Sequence, residues 1–201
     1  MALKEDYEAR FQQVLKPLAV SLEAYTRTLL EAEVRIDRIQ ARPKSVERFL
    51  GKAAKTEGDG PKYAQPLHQI QDQIGARIIC FYLCDVDRVS AAIEKYFRPV
   101  EAREVVPERE AEFGYFGKHY VLIIPADVID AAWDKSHIPD FFELQIKTLF
   151  QHAWSEAEHD LGYKPGAADL TAEQKRRVAF TAAQAWGADI LFDELFRQRA
   201  G

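Results

Sequence analysis

Glu143, Gln145 and Lys147 stand two residues apart in FFELQIKT, residues 141–148. In an extended chain they share one side with Phe141, while Phe142, Leu144, Ile146 and Thr148 take the other. The apolar side reads as a core face. The polar side is either ordinary solvated surface or the floor of a site. A second carboxylate, Asp72, lies just ahead of the apolar run ARIICFYLCD. Two carboxylates on neighbouring strands could hold Mg²⁺ through oxygen ligands, with substrate phosphates completing its shell.

Three further groups carry chemistry. In RPKSVERFLGK, Arg42 and Lys44 precede or open a helix, and Arg48 and Lys52 sit one turn apart along it. With the partial positive charge of a helix N-terminus, such a cluster suits a polyphosphate; the plainer alternative is a solvated basic helix. In DQIGARII, Gly75 allows a turn or a close ligand, and Arg77 needs a partner within its apolar run, for which a salt bridge to Asp72 is the structural alternative. In FGYFGKHY, Tyr115 between two glycines offers a flat face to a base, or is a surface residue of a hairpin turn, with Lys118 and His119 entering the next strand. His152, Ser155 and His159 share a helical stripe. No HExxH zinc motif and no P-loop occurs, and the His159-Asp160 dipeptide lacks the partners of a metal-dependent phosphohydrolase.

The elements that must position these groups follow from periodicity. Phe11, Leu15, Leu18, Leu22, Tyr25, Leu29 and Leu30 recur at helical steps and predict a helix from residue 5 to about 40, kinked or divided at Pro17. Pro43 suits the first turn of a following helix. TEGDGPKY is a loop, PLHQIQDQI a short helix, ARIICFYLCD a buried strand, and DVDRVSAAIEKYF a helix with an N-cap aspartate. Strands are expected near 99–106 and 118–125. FFELQIKT is a strand running straight into a helix, and a last helix from about 171 to 198 opens on the capping pattern TAEQ. Helices, then strands, then helices predict an α/β (α+β) fold, a mixed sheet with helices packed on it.

The bulk numbers limit the function. The 201 residues suit one domain with a helical extension, and 47% hydrophobic with 29% charged residues is ordinary for a globular chain. A net charge of -5 argues against broad backbone neutralisation of DNA. Cys80 and Cys84, read in one extended strand, would lie roughly 13 Å apart, too far for a disulfide. The N-terminus has no apolar signal segment, and no run approaches the roughly 18 apolar residues of a membrane span, so a cytoplasmic protein without membrane contact is expected.

In this order the groups resemble the synthetase domain of the RelA/SpoT-type alarmone synthetases, at the length of the stand-alone small members. The motifs are Arg42, Lys44 and Lys52; Asp72, Gly75 and Arg77; Gly114, Tyr115 and His119; and Glu143, Gln145, Ile146, Lys147 and Thr148, running into Trp154, Glu158, His159, Tyr163 and Lys164. Arg48 and Gly117 stand where members often have serine, and Lys147 replaces the commoner arginine. The loop before Tyr115 has only Arg103 and Arg109 as cations.

The resemblance implies a nucleotidyltransferase-like fold in three parts: an N-terminal helical segment (1–40), a synthetase core (41–165) and a C-terminal helix (166–201). It implies transfer of pyrophosphate from ATP to the 3′-hydroxyl of GDP or GTP. Arg42, Lys44, Arg48, Lys52 and Arg77 would then bind ATP. Tyr115, Lys118, His119, Gln145, Lys147 and His152 would bind the acceptor. Asp72 and Glu143 would hold Mg²⁺, with Lys44 and Lys52 assisting and Glu143 also able to accept the proton of the attacking hydroxyl. A homo-oligomer is expected. The alternatives are a toxic relative that modifies the tRNA 3′ end or adenosine nucleotides, with an antitoxin or tRNA partner, and an inactive nucleotide-binding module, against which the intact Asp72 and Glu143 argue.

Overall fold

Apolar residues at three- and four-residue steps build an N-terminal helical arm. In the computed structural model, which describes residues 2–106, 112–114, 116–162 and 169–200, the arm runs through α1 (Ala2–Arg10) and α2 (Lys16–Leu29). Between them Phe11–Leu15 widens into a π turn, where the Lys16 N–H bonds the Phe11 carbonyl five residues back. Pro17 follows at the start of α2. It has no N–H to donate and its ring crowds the preceding turn, so the widened turn absorbs the proline without breaking the arm.

The helix ends at Leu29, not near residue 40 as its spacing predicts. Arg35 adopts a positive φ of 62°, and the chain turns into β1 (Ile36–Pro43). Ile36 and Ile39 are three apart, a helical spacing, because the register slips between Ile36 and Arg38. That bulge inserts one residue and returns both isoleucines to the same face of the strand. Pro43 accordingly ends a strand. α3 (Val46–Ala53) begins after it, with the Ser45 side chain accepting the Arg48 N–H.

Next come a two-residue ribbon of β2 (Thr56–Glu57) and β3 (Gly60–Pro61), the short α4 (Pro66–Gln69), and β4 (Ile74–Cys80). α5 (Leu83–Tyr96) starts earlier than expected. Its N-cap is Tyr82, and Asp85 is the third helical residue, whose carboxylate accepts the Tyr82 N–H. Cys84 therefore lies on α5, not in a strand, and both cysteines are free. β5 (Pro99–Val105), β6 (Gly117–Ile123), β7 (Phe141–Thr148), α6 (Leu149–Gly162) and α7 (Ala172–Ala200) complete the chain. Thr148 joins β7 to α6 by accepting the Gln151 N–H while Gln151 accepts the Thr148 N–H. Thr171 and Gln174 form the same reciprocal cap on α7.

The five long strands order as β1-β4-β7-β6-β5. β4 and β7 are parallel and the other neighbours antiparallel, which makes the mixed sheet. One face buries Ile39, Ile78, Leu144, Ile146 and Leu122 with Leu18 and Leu22 of α2 and Val89 and Ile93 of α5. The opposite face carries α6 at the end where Ile79 and Lys147 are buried, and elsewhere forms the floor of a cleft. No helix among the described residues is long and apolar enough to cross a membrane.

Candidate active site

Strand register lays the polar residues of the cleft face in rows. Arg42 on β1 pairs with Gly75 on β4, and Gly75 with Glu143 on β7. Two residues along, Gln40, Arg77, Gln145, His119 and Arg103 form a row across all five strands. Strand alternation therefore gathers residues from five separate stretches of sequence onto one floor.

Asp72 sits in the turn just before β4. Its Oδ2 is 2.8 Å from Lys44 Nζ and its Oδ1 is 2.9 Å from Lys52 Nζ. The Asp72–Arg77 salt bridge, the structural alternative for Arg77, does not form; Arg77 Nη1 instead meets Glu156 Oε1 of α6 at 2.6 Å. The turn carrying Asp72 is braced from behind. Lys44 N–H bonds the Gln73 carbonyl at 2.8 Å, and the buried Arg10 donates to Gln73 Oε1, the Leu67 carbonyl and the Ser136 carbonyl. Tyr7 stacks on Phe49 and donates to the Lys44 carbonyl.

On β7, Glu143 Oε1 lies 3.1 Å from His119 Nδ1 and accepts the Gln145 amide at 3.1 Å. The His119 contact, opposed by burial and aided by Gln145, pulls the carboxyl down to about 2. A carboxylate held that low stays ionised and is a ready cation ligand.

Two chambers meet on this floor. One, of about 420 Å³, is lined by Arg42, Lys44, Arg48, Gly75, Arg77 and Gln145, with Ser45 at the N-terminus of α3 and His159 on α6. The other, of about 200 Å³, is lined by Lys52, Tyr63, Arg103 and His119. Among the described residues, Asp72 and Glu143 are the two that line both. The first chamber gathers four permanent cations beside a helix N-terminus, the environment of a polyphosphate.

The donor set also suits a hard divalent cation. Asp72 Oδ1 is buried and, although Lys52 is close, no donor is aligned on it as a hydrogen bond. Among the described residues no cluster of three or more His, Cys, Asp or Glu side chains could close a shell around an ion. Two carboxylates that leave the rest of the shell to phosphate oxygens fit Mg²⁺.

The remaining expected residues separate. Lys118 alternates onto the opposite face, where it bonds Asp87 of α5 at 2.7 Å, so it does not reach the cleft. Gln145 lines the cationic chamber and not the one that holds His119. Lys147 is buried against Ser155 Oγ at 3.2 Å, and burial, then Arg77, pushes its ammonium down to about 8. His152 lies beside Glu156, with its pKa lowered mainly by burial. Neither lines a chamber. Tyr115, Arg109, Tyr163 and Lys164 fall outside the described residues. Sequence reasoning missed Tyr63, for which no local pattern exists, and Glu156, which the four-residue step from His152 on the α6 stripe could have revealed.

Fold and site define a class: a mixed-sheet, nucleotide-polyphosphate enzyme with two carboxylates where two chambers join. The region found in RelA / SpoT proteins matches residues 41–168. The GTP pyrophosphokinase YjbM of Bacillus subtilis (strain 168) is 31% identical over 168 residues, covering 80% of this chain and 73% of that protein. The small alarmone synthetase 1 of Bacillus subtilis, bound to its product pppGpp, superposes with a TM-score of 0.74 at 26% identity, over all of both chains. A GTP pyrophosphokinase family protein from Streptococcus pneumoniae has a TM-score of 0.71 at 28% identity, covering 95% of this chain and 91% of that one. The chain belongs to the RelA/SpoT family.

Proposed function

We propose that this enzyme is an alarmone synthetase that transfers pyrophosphate from ATP to the 3′-hydroxyl of GDP or GTP. The observation that carries the reading is the junction of the two chambers at Asp72 and Glu143. A pyrophosphoryl donor and a hydroxyl acceptor must meet there, with negative charge developing at the point of transfer.

The cationic chamber takes ATP. Arg42 and Arg77 flank the adenine, and the Arg77–Glu156 pair holds one guanidinium in place. Lys44, Arg48 and the α3 N-terminus bind the phosphates. Lys44 and Lys52, now on Asp72, are within reach of charge on the leaving AMP. Asp72 and Glu143 would hold Mg²⁺, which when bound neutralises phosphate charge and orients the β-phosphate. The second chamber takes the acceptor, with His119 beside Glu143 and Tyr115 stacking on the guanine. The 3′-oxygen attacks the β-phosphorus and the bond to the α-phosphate oxygen breaks. AMP leaves, and the hydroxyl proton passes to the Glu143–His119 pair.

Exposed Phe180, Leu191 and Leu195 on α7 support a homo-oligomer, which light scattering on the purified chain would reveal or exclude. For the reaction itself, ATP labelled in its terminal phosphates is incubated with GDP, GTP, GMP, ADP or deacylated tRNA. Label entering GDP or GTP is expected. Label entering only tRNA, and lost at raised salt, would replace the guanosine acceptor with RNA.

A further inference from the structure

On the face of the sheet opposite the cleft, α5, α6, α7 and the ends of β5 and β6 enclose a cavity of about 360 Å³. That is within the size range of small-molecule sites. Its walls are aromatic. Trp154 is fixed by its Nε1–H bond to Thr181 Oγ1 at 3.1 Å, and Trp186, partly exposed, meets Phe113 edge to face. Its charged groups are unbalanced. Among the described residues, Asp87, Glu104 and Asp189 line it with one cation, Lys118, already bonded to Asp87.

Asp189 is the informative residue. It is 3% exposed, and its Oδ2 accepts the Thr148 hydroxyl at 2.8 Å. Its Oδ1 is buried and accepts no hydrogen bond among the described residues. A folded protein rarely leaves a buried carboxylate oxygen unsatisfied unless a ligand, ion or water completes it. We propose that this cavity is a second ligand site, distinct from the nucleotide cleft, and that it takes an amphipathic organic cation: a flat apolar body carrying one amidinium or ammonium group that bonds Asp189. The aromatic walls receive the body, and the excess of carboxylates favours a cation. The same carboxylates exclude a nucleotide, whose phosphates they would repel.

Protonation competes with such a ligand. Burial, with the neighbouring charge of Asp193 adding to it, raises the Asp189 carboxyl to about 6 against the opposing Thr148 bond. Among the described residues, the charged groups facing the cavity from other elements are Asp87 of α5, Glu104 of β5 and Lys118 of β6. A cation therefore binds more weakly as the pH falls through about 6, because Asp189 then carries its own proton.

The test titrates the full chain calorimetrically with three probes of one shape: benzamidinium (cation), benzamide (neutral) and benzoate (anion). Benzamidinium is expected to bind at least about tenfold more tightly than benzoate, the scale of a hydrogen bond to a charged group. Its binding should persist at saturating ATP, and Asp189→Asn should remove the preference. Trp186→Ala, at a partly exposed position, gives an independent arm should Asp189→Asn not fold. It should weaken benzamidinium about fivefold through loss of the ring face. Absence of benzamidinium binding, equal binding of benzoate, displacement by ATP, or unchanged benzamidinium affinity in Trp186→Ala would each overturn the proposal.

Discussion

Arg77 of β4, which lines the cationic chamber, and Glu156 of α6 form an ion pair of 2.6 Å. The pair leaves Asp72 to Lys44 and Lys52. It also places a carboxylate beside Lys147 and His152, where it raises the proton affinity of both against burial. Glu156→Gln should free the Arg77 guanidinium without touching the carboxylates of the junction. The KM for ATP should rise about tenfold, as for a lost hydrogen bond to a charged group, with kcat largely kept. Steady-state kinetics over ATP concentration check this; an unchanged KM would remove Arg77 positioning from the account.

Asp72→Asn and Glu143→Gln nearly keep shape and remove charge. Each should lower turnover by two to three orders of magnitude or more, on the scale of about 10²–10³ for losing one preorganised electrostatic group. Circular dichroism should remain native. Near-normal turnover of either variant at saturating Mg²⁺ would exclude the assignment of both residues to the reaction.

Gly75 lies in the row between Arg42 and Glu143, and a Cβ built there meets nothing within 4 Å. The glycine is not forced by its backbone; it keeps the floor of the cationic chamber empty. Gly75→Val should therefore fold, with β-branching suited to a strand, and yet bind ATP much more weakly. Thermal melting and nucleotide titration on one sample separate the two effects. A variant that binds ATP normally would show that the nucleotide does not lie over Gly75.

Asp189 sets a pH dependence of stability. Its carboxyl is raised from 3.8 to about 6 in the fold. The folded state holds this proton more tightly than the unfolded chain does. Its contribution is thus fully present below about pH 4 and is lost as pH rises through about 6. Asp189→Asn keeps an oxygen for Thr148 and carries no charge. It should stabilise the protein near neutral pH by up to about 3 kcal/mol, from a shift of about two pK units, and change little below pH ~4. Denaturant unfolding at the two pH values measures the difference, and equal effects at both would show that ionisation of Asp189 is not involved.

Tyr115, on the resemblance, stacks on the acceptor base. Stacking is worth about 1–3 kcal/mol per base, so Tyr115→Ala should weaken acceptor use roughly 5- to 150-fold, and Tyr115→Phe less. Equal losses in both would assign the effect to the hydroxyl.

Much of the fold and the family was already legible in residue spacing. The alternation of FFELQIKT predicts β7 and its two faces, since side chains of a strand must alternate. The reciprocal Thr171–Gln174 cap was visible in TAEQ, because capping is a matter of local hydrogen bonding over four residues. The ordered motifs carried the family and with it the reaction class. What local pattern could not carry is whatever depends on register between distant strands or on phase within one. β1 was hidden because a bulge between Ile36 and Arg38 gave a strand the three-residue apolar spacing of a helix. Arg77 chose Glu156 over Asp72 because α6 lies over β4, a contact spanning 79 positions, while two lysines claimed the nearer carboxylate. Lys118 and His119 are neighbours in sequence and lie on opposite faces of the sheet, so only the pairing of β6 with β7 decides which one meets Glu143. Residue types and their order determined which chemistry this chain could perform. Strand register and helix placement, set by burial of one face of the sheet, decided which of those residues share a chamber.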